Sequence, residues 1–182
     1  MKFEPIEIKD KLGRIIVLRN ATPDDADDLI KYLEVTSAET PYLIREPDEI
    51  TITHEQEILF INHCLESNKS LMLIATLNGK HIGNCSLNPI GKYKRYSHRC
   101  EVAIALYQEF CGYGIGRSML ENVLEIAKGL GFEQAELEVV SDNRSAIALY
   151  EKIGFKKYGS FPDNMKYTNG QYASADWMMK KL

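Results

Sequence analysis

The stretch Phe110-Cys111-Gly112-Tyr113-Gly114-Ile115-Gly116-Arg117 determines how the rest of the chain is interpreted. A strand-like run over residues 100–107 precedes it, and a helical pattern follows it directly. Alternating glycines let a ligand approach the backbone closely. The first turn of the following helix presents amides without intrahelical partners, at the positive end of the helix dipole. We therefore expect this loop to bind a phosphate or pyrophosphate group.

The spacing of the glycines argues against the two common nucleotide motifs. A P-loop needs a Lys followed by Ser or Thr after its last glycine, whereas Arg117 and Ser118 follow Gly116 here. The dinucleotide motif G-x-G-x-x-G lacks its third glycine, because Arg117 or Met119 stands at that position, depending on which glycine pair starts the count. The phosphate-bearing ligand therefore belongs to another class.

Length and composition limit the class of protein. The 182 residues predict a single domain, 1–182, with a substantial core. The net charge of −4 gives no electrostatic support for a nucleic-acid partner. The four cysteines form no C-x-x-C pair and the four histidines are scattered, which predicts a reducing compartment and no metal site. The longest apolar run, Leu71 to Leu77, is too short to span a membrane. We expect a cytoplasmic protein without a membrane partner.

The order of the elements predicts the fold class. The predicted elements are strand 14–19, helices starting at Thr22 and Thr53, strands 71–77, 81–88 and 98–107, a helix after the glycines, strand 135–140, helix 143–153, and strands 155–161 and 172–179. This order predicts an α+β fold, with a mixed, mostly antiparallel sheet flanked by about four helices.

Two motifs together resemble the GNAT superfamily of N-acetyltransferases. Residues 111–116 are similar to its loop motif Q/R-x-x-G-x-G/A, with Cys111 where Gln or Arg is usual. Residues 143–155 match its segment N-x-x-A-x-x-x-Y-x-x-x-G-F at every marked position. The resemblance covers most of residues 14–182 and implies acetyl-coenzyme A or coenzyme A as the cofactor.

The resemblance also implies which residues bind the cofactor. The pyrophosphate is expected at the glycine loop, and the pantetheine arm is expected to pair with the strand near residues 104–106. Asn143 and Tyr150 lie two helical turns apart and therefore point the same way. The expected cofactor-binding residues are Ile104, Ala105, Leu106, Cys111, Gly112, Tyr113, Gly114, Ile115, Gly116, Arg117, Ser118, Asn143, Ala146 and Tyr150.

The strand before the glycines has one face with small side chains. Alternation places Ala103 and Ala105 on the same face as Glu101. Two alanines beside a carboxylate leave room for a thin ligand, but close packing of a helix also selects alanine. The sequence leaves these two interpretations open.

The chemistry of N-acetyl transfer requires a base, an acid and an oxyanion donor. Tyr150 is expected to donate a proton to the departing thiolate, and Glu101 to act as general base, directly or through water. A backbone amide around Leu106 is the expected oxyanion donor. The amine would attack directly in a ternary complex, without an acyl-enzyme. The alternatives are that Tyr150 is a core aromatic residue and that Glu101 pairs with Arg99 or Arg95.

Cys111 suggests a redox hypothesis. A thiol at the N-terminal end of a helix ionises more easily than a free thiol. Oxidation of Cys111 in the cofactor-free enzyme is therefore one interpretation, and an inert, partly buried thiol is the other.

The acceptor is the least determined feature. The resemblance places acceptor contacts between the first two helices and in the last hairpin, at Tyr42, Arg45, Glu46 and Tyr167. A small amine, an amino acid and a protein N-terminus all remain open as acceptors, and the net acidity of the chain slightly favours a cationic amine. Homodimers through the outer strands are common in the superfamily. The competing hypothesis is a coenzyme A-binding regulatory protein with the same fold and no turnover.

Overall fold

The computed structural model describes residues 1–182. The helices are α1 (Ala26–Glu39), α2 (His54–Glu66), α3 (Ile115–Gly129) and α4 (Arg144–Ile153). The strands are β1 (Ile6–Lys9), β2 (Ile15–Asn20), β3 (Leu71–Leu77), β4 (Lys80–Pro89), β5 (Arg99–Leu106), β6 (Gln134–Val140), β7 (Lys156–Lys166) and β8 (Tyr172–Lys181). None of the four helices has the length and apolar character needed to cross a bilayer.

The eight strands follow the order β1-β2-β3-β4-β5-β6-β8-β7 in one mixed sheet. Strands β5 and β6 run parallel, with Glu101 opposite Glu136. The pairs β1–β2, β2–β3, β3–β4, β6–β8 and β7–β8 are antiparallel. The predicted mixed, mostly antiparallel sheet with four helices is confirmed. The chain divides into two compact units, residues 1–88 with 103–123 and residues 89–102 with 124–182, and each is described by itself.

The first unit begins with a strand that the sequence analysis missed. Strand β1 has only four residues and pairs with β2 through a turn at residues 10–13. The carboxylate of Asp10 closes this turn by accepting hydrogen bonds from the Leu12 and Arg14 amides, each at 2.9 Å. Arg14 Nε also donates to Asp10 Oδ2 at 2.6 Å. The Asp10 carboxylate therefore fixes the conformation of this turn through three hydrogen bonds.

Helix α1 starts later than the sequence predicted. Thr22 precedes a short 3₁₀ turn, Pro23–Asp25, and the α-helix begins at Ala26. The Thr22 amide and hydroxyl donate to Asp25 Oδ2 at 2.7 and 2.9 Å. Both terminal nitrogens of Arg19 donate to the same carboxylate, each at 2.7 Å. Asp25 therefore joins the end of β2 to the start of α1.

Asp25 should make the stability of the protein sensitive to acid. Burial raises its pKa, but the hydrogen bonds from Arg19 and Thr22 outweigh burial and lower the pKa from 3.8 to about 2. A lowered carboxylate pKa stabilises the fold above the unfolded-state value, and this contribution is lost as the pH falls from about 4 towards 2. We expect the free energy of unfolding of the wild type to fall about 1 kcal/mol more than that of Asp25→Asn across this interval, after allowing for solvent screening. Urea unfolding at pH 5, 4 and 3 measures the difference, and parallel pH curves for the two proteins would contradict it.

Helices α1 and α2 pack against β3 through an apolar cluster. Its buried members are Ala21, Ala26, Leu29, Ile61, Cys64, Met72 and Ile74. Helix α2 begins as predicted, because the Thr53 side chain accepts a hydrogen bond from the Gln56 amide. The Asn78-Gly79 turn between β3 and β4 is also confirmed, with both residues at positive φ.

The second unit contains β6, β7, β8 and α4. Helix α4 is bounded as predicted: Asn143 is its N-cap, and Gly154 ends it in the left-handed conformation at φ 103°. Strand β7 carries two irregularities against β8, between Lys157 and Gly159 and between Phe161 and Met165. Lys180 Nζ donates to the Ile153 carbonyl at 2.8 Å, so β8 also holds the end of α4.

Candidate active site

The glycine loop of the first unit has the geometry expected of an anion site. Gly112 and Gly114 adopt positive φ values of 83° and 88°, which favour glycine. Helix α3 starts at Ile115, and its first amide with a backbone acceptor is that of Ser118, which donates to the Gly114 carbonyl at 3.2 Å. The amides of residues 115–117 have no acceptor within the chain. They can therefore donate to an oxyanion at the positive end of the helix dipole.

The turn between β1 and β2 holds this loop. The Lys11 amide donates to the Tyr113 carbonyl at 2.9 Å, and Lys11 Nζ donates to the Gly112 carbonyl at 2.9 Å. The Arg14 guanidinium lies 4.9 Å from the centre of the Tyr113 ring. No local sequence pattern predicts these contacts, because 101 residues separate Lys11 from Gly112.

The surroundings of Cys111 do not favour the easily ionised thiol that its position suggested. Its thiol lies 3.7 Å from the Tyr107 carbonyl, to which it donates. Partial burial and the negative charge of Glu39 raise the pKa of the Cys111 thiol. The hypothesis of an easily ionised thiol at the helix start was therefore wrong, since desolvation and a neighbouring carboxylate oppose the helix dipole.

The end of β5 is held by a side chain from α1. The Tyr32 hydroxyl donates to the Ala105 carbonyl of β5 at 2.9 Å. The Asn84 backbone amide of β4 also interacts with this phenol, although burial dominates and raises the pKa of Tyr32. A hydroxyl from a helix thus joins the two strands at Ala105, within the segment 104–106 where the cofactor arm was expected. No sequence motif singles out Tyr32 for this position.

A buried histidine lies beside this contact. The ring of His81 is 4.9 Å from that of Tyr32 and 6.2 Å from that of Tyr107, centre to centre. His81 Nε2 contacts Asn84 Oδ1 at 2.6 Å, while Nδ1 is buried without a hydrogen-bond partner. Burial lowers the pKa of His81, so the ring is neutral near pH 7. The aromatic group fixes the start of β4 against the end of β5.

The small-residue face of β5 is open. Ala103 is exposed, so the interpretation that its small side chain accommodates a helix is wrong at that position. Ala105 is half-buried, and its carbonyl is the one that Tyr32 contacts. The remaining interpretation, that a thin ligand lies along this face, stays a prediction.

In the second unit, Glu101 is exposed and forms no ion pair. Arg99 instead donates to both oxygens of Glu136, at 2.5 and 2.6 Å. This pairing removes the alternative in which Arg99 neutralises Glu101. The carboxylate of Glu101 is exposed to solvent, and its role as a base stays a prediction.

Helix α4 presents the second motif. The side-chain oxygen of Asn143 accepts from the Ala146 amide at 3.2 Å and from the Ser145 hydroxyl at 3.1 Å. The oxygen therefore caps the helix, which leaves the side-chain NH₂ group of Asn143 as a donor for a ligand. Tyr150 is buried with its ring edge-on to Phe155, at 6.0 Å between ring centres. Burial and the contact with Phe155 are compatible with both a structural and a catalytic role, so the catalytic role of Tyr150 stays a prediction.

The residues expected to contact the acceptor lie in loops. Tyr42, Arg45 and Glu46 are exposed between α1 and α2 in the first unit. In the second unit, Tyr167 begins the β7–β8 turn, where its amide donates to the Gln171 carbonyl at 2.8 Å. No group of three or more His, Cys, Asp or Glu side chains is arranged to hold a metal ion.

The second unit also carries an aromatic patch that the sequence analysis missed. The exposed rings of Tyr158 and Phe161 stack on Trp177, with centres 6.3 and 6.0 Å apart. Trp177 Nε1 donates to Glu138 at 2.9 Å. Alternation along β7 and β8 predicted the strands, but the irregularities in β7 place these rings together, and no sequence pattern predicts such irregularities.

Comparison with known proteins assigns the chain to a family. The sequence profile of the acetyltransferase (GNAT) family matches residues 32–155. An N-alpha-acetyltransferase of Saccharolobus solfataricus is 30% identical over 179 residues, which span 92% of each chain. A GNAT-family acetyltransferase from Streptococcus pneumoniae has a TM-score of 0.86 and 29% identity, covering 92% of this chain and 99% of that one. The protein yncA from Salmonella typhimurium, solved with its cofactor acetyl-CoA, has a TM-score of 0.81 at 17% identity, covering 92% and 94%.

The chain belongs to the acetyltransferase (GNAT) family. The predicted family and fold are confirmed, and the chain is an acyltransferase of the N-acetyltransferase type.

Proposed function

We propose that this enzyme transfers an acetyl group from acetyl-CoA to the primary α-amino group of a peptide or protein. The observation that supports the cofactor is the glycine loop. Its positive-φ glycines and the unpaired amides of residues 115–117 fit a pyrophosphate, which requires several converging N–H donors. The relative named N-alpha-acetyltransferase, which spans 92% of both chains, supports the α-amino group as the acceptor.

The cofactor supplies the activated acetyl thioester, and the chain supplies the groups that bind it. The residues proposed for the cofactor are those of segments 104–106 and 111–118, together with Asn143, Ala146 and Tyr150. Residues 112–117 bind the pyrophosphate through backbone amides, and the Asn143 side-chain NH₂ donates to an amide oxygen of the pantetheine arm. The backbone around Leu106 donates to the carbonyl oxygen on which negative charge develops.

Two side chains act as the general base and the general acid of the reaction. Glu101 accepts a proton from the acceptor amine, directly or through water, because only the neutral amine is nucleophilic. Tyr150 donates its phenolic proton to the departing thiolate. The amine attacks the thioester directly, so no side chain of the enzyme becomes acetylated.

The residues proposed to contact the acceptor comprise one pair of opposite charges and two aromatic side chains. Arg45 and Glu46 offer one charge of each sign, and Tyr42 and Tyr167 offer aromatic surfaces. Such a set suits the polar backbone and varied side chains of a peptide better than a uniformly cationic polyamine. Other primary amines are therefore expected to be poorer acceptors.

Thiol release from acetyl-CoA tests this function. We expect release that depends on added peptide with a free α-amino group, and none with the same peptide after chemical Nα-acetylation. A thermal-shift titration with coenzyme A should show stabilisation in parallel. Stabilisation by coenzyme A with release on free amino acids or polyamines, but not on peptides, would overturn the proposed acceptor. Absence of both stabilisation and release would overturn the acetyl-CoA function itself.

A further inference from the structure

The turn between β1 and β2 contributes a lysine to the glycine loop, and no motif in the chain assigns that lysine a role. The Lys11 amide donates to the Tyr113 carbonyl at 2.9 Å, which fixes the backbone of the turn beside the loop. The stem of the side chain crosses Gly114: its Cγ and Cε lie 3.7 and 3.8 Å from the position that a Cβ on Gly114 would occupy. Its ammonium donates to the Gly112 carbonyl at 2.9 Å.

Lys11 carries a positive charge that no carboxylate neutralises. Its ammonium is exposed and donates to a neutral carbonyl, and it forms no ion pair. The two neighbouring cations differ in this respect, since Arg14 pairs with Asp10 at 2.6 Å and Arg117 pairs with Glu121 at 2.8 Å. An uncompensated ammonium therefore lies on the glycine loop, at Gly112, in the segment that directly precedes the unpaired amides of residues 115–117.

We propose that Lys11 is a ligand of the cofactor pyrophosphate and makes the enzyme select thioesters that carry this group. The proposal rests on the acetyl-CoA function above. When the cofactor binds, the ammonium exchanges the Gly112 carbonyl for a phosphoryl oxygen, because an ionised acceptor forms a stronger hydrogen bond than a neutral one. A lysine suits this exchange because its ammonium is a flexible point charge on a long stem.

Coenzyme A carries a second phosphate group on its ribose. The position of the Lys11 side chain favours a contact with the pyrophosphate over a contact with that ribose phosphate. The stem lies directly on Gly114, and the ammonium lies at Gly112, so both touch the loop that offers the amides. The backbone bond from Lys11 to Tyr113 also limits how far the ammonium can move away from the loop.

Affinity measurements with shortened cofactors test the proposal. Calorimetry would give Kd for coenzyme A and for dephospho-coenzyme A, which keeps the pyrophosphate but lacks the ribose phosphate. Thermal shifts at matched concentrations would compare pantetheine, which has no phosphate. For Lys11→Met we expect Kd to rise about 3- to 10-fold for both coenzymes, as is typical for loss of one exposed charged contact. The shift with pantetheine should equal that of the wild type.

Lys9→Met is the matched control, since it removes the same charge from the exposed end of β1 in the same hairpin. It should leave both Kd values unchanged, and Lys11→Arg should recover part of the affinity lost in Lys11→Met. The Kd of Lys11→Met for coenzyme A should also depend less on salt than that of the wild type.

Four results would overturn the assignment of Lys11. They are unchanged Kd values in Lys11→Met, a weakened response to pantetheine as well, an equal loss in Lys9→Met, and a loss for coenzyme A without one for dephospho-coenzyme A. The last result would move the contact to the ribose phosphate. Failure of the wild type to bind any of these compounds would instead overturn the acetyl-CoA function.

Discussion

Replacement of Tyr150 with Phe is expected to lower the turnover number by about 10²-fold, the usual contribution of a positioned general acid. The ring and its edge-on contact with Phe155 remain, so only the hydroxyl is lost. The thiolate would then leave without a proton donor. We expect the KM for acetyl-CoA to stay within about twofold of the wild type, since the pyrophosphate contacts are untouched. Steady-state kinetics at saturating acceptor measures both values.

A second Tyr→Phe variant, at an exposed position, controls for effects of removing a tyrosine hydroxyl that are unrelated to catalysis. Tyr93 is 77% exposed, and Tyr93→Phe should leave the turnover number unchanged. Because Tyr150 is buried, its variant also needs a thermal unfolding curve, to show that a folded enzyme is being assayed. A folded Tyr150→Phe protein with wild-type turnover would assign this residue to the core, the alternative interpretation of the sequence.

Replacement of Gly83 with Ala is expected to cause the largest loss of stability. A Cβ at this position in β4 would lie 2.3 Å from Leu106 Cδ2, 2.8 Å from the Ala105 carbonyl oxygen and 3.0 Å from Leu106 Cα. Two of these atoms belong to the backbone of β5, so rotation of a side chain cannot relieve the overlap. We expect a loss of about 2–3 kcal/mol in the free energy of unfolding.

The same substitution should impair acetyl transfer, because it displaces the segment that Tyr32 holds and that is proposed to contact the thioester. Thermal unfolding should show a decrease of about 2–4 °C in Tm for each kcal/mol lost in a chain of this size. Gly129→Ala is the control: no atom lies within 4 Å of its added Cβ at the end of α3, and its Tm should not fall. A Gly83→Ala protein with unchanged Tm and turnover would show that β4 and β5 can separate freely at this point.

Much of the architecture could be predicted from the sequence. The Asn78-Gly79 turn, the Thr53 cap, and the boundaries of α4 at Asn143 and Gly154 are all confirmed. Each is encoded within a few residues, through positive φ or a side-chain oxygen that bonds a nearby amide. The two motifs also identified the family correctly. The first lies within one loop and the second within one helix, so both can be read from short stretches of sequence.

Short elements and local electrostatics were predicted less well. Strand β1 has four residues, too few for a clear alternation, and the 3₁₀ turn before α1 uses the same Thr-Pro-Asp signals as a helix start. For Cys111, the position at a helix start suggested a lowered pKa, whereas burial and Glu39 raise it. Desolvation depends on what packs around a group, and a linear sequence does not contain this information.

The sequence by itself determined the glycine loop, the motif on α4 and the order of the longer strands and helices, because these depend on backbone preferences and spacing within short segments. Only the tertiary structure decided that Lys11 lies on the glycine loop, that Tyr32 holds Ala105 and that Gly83 must remain without a side chain. Each of these contacts joins residues that are more than 20 positions apart, and close packing brings them together. Which distant side chain fills a given space depends on the packing of the whole sheet and its helices.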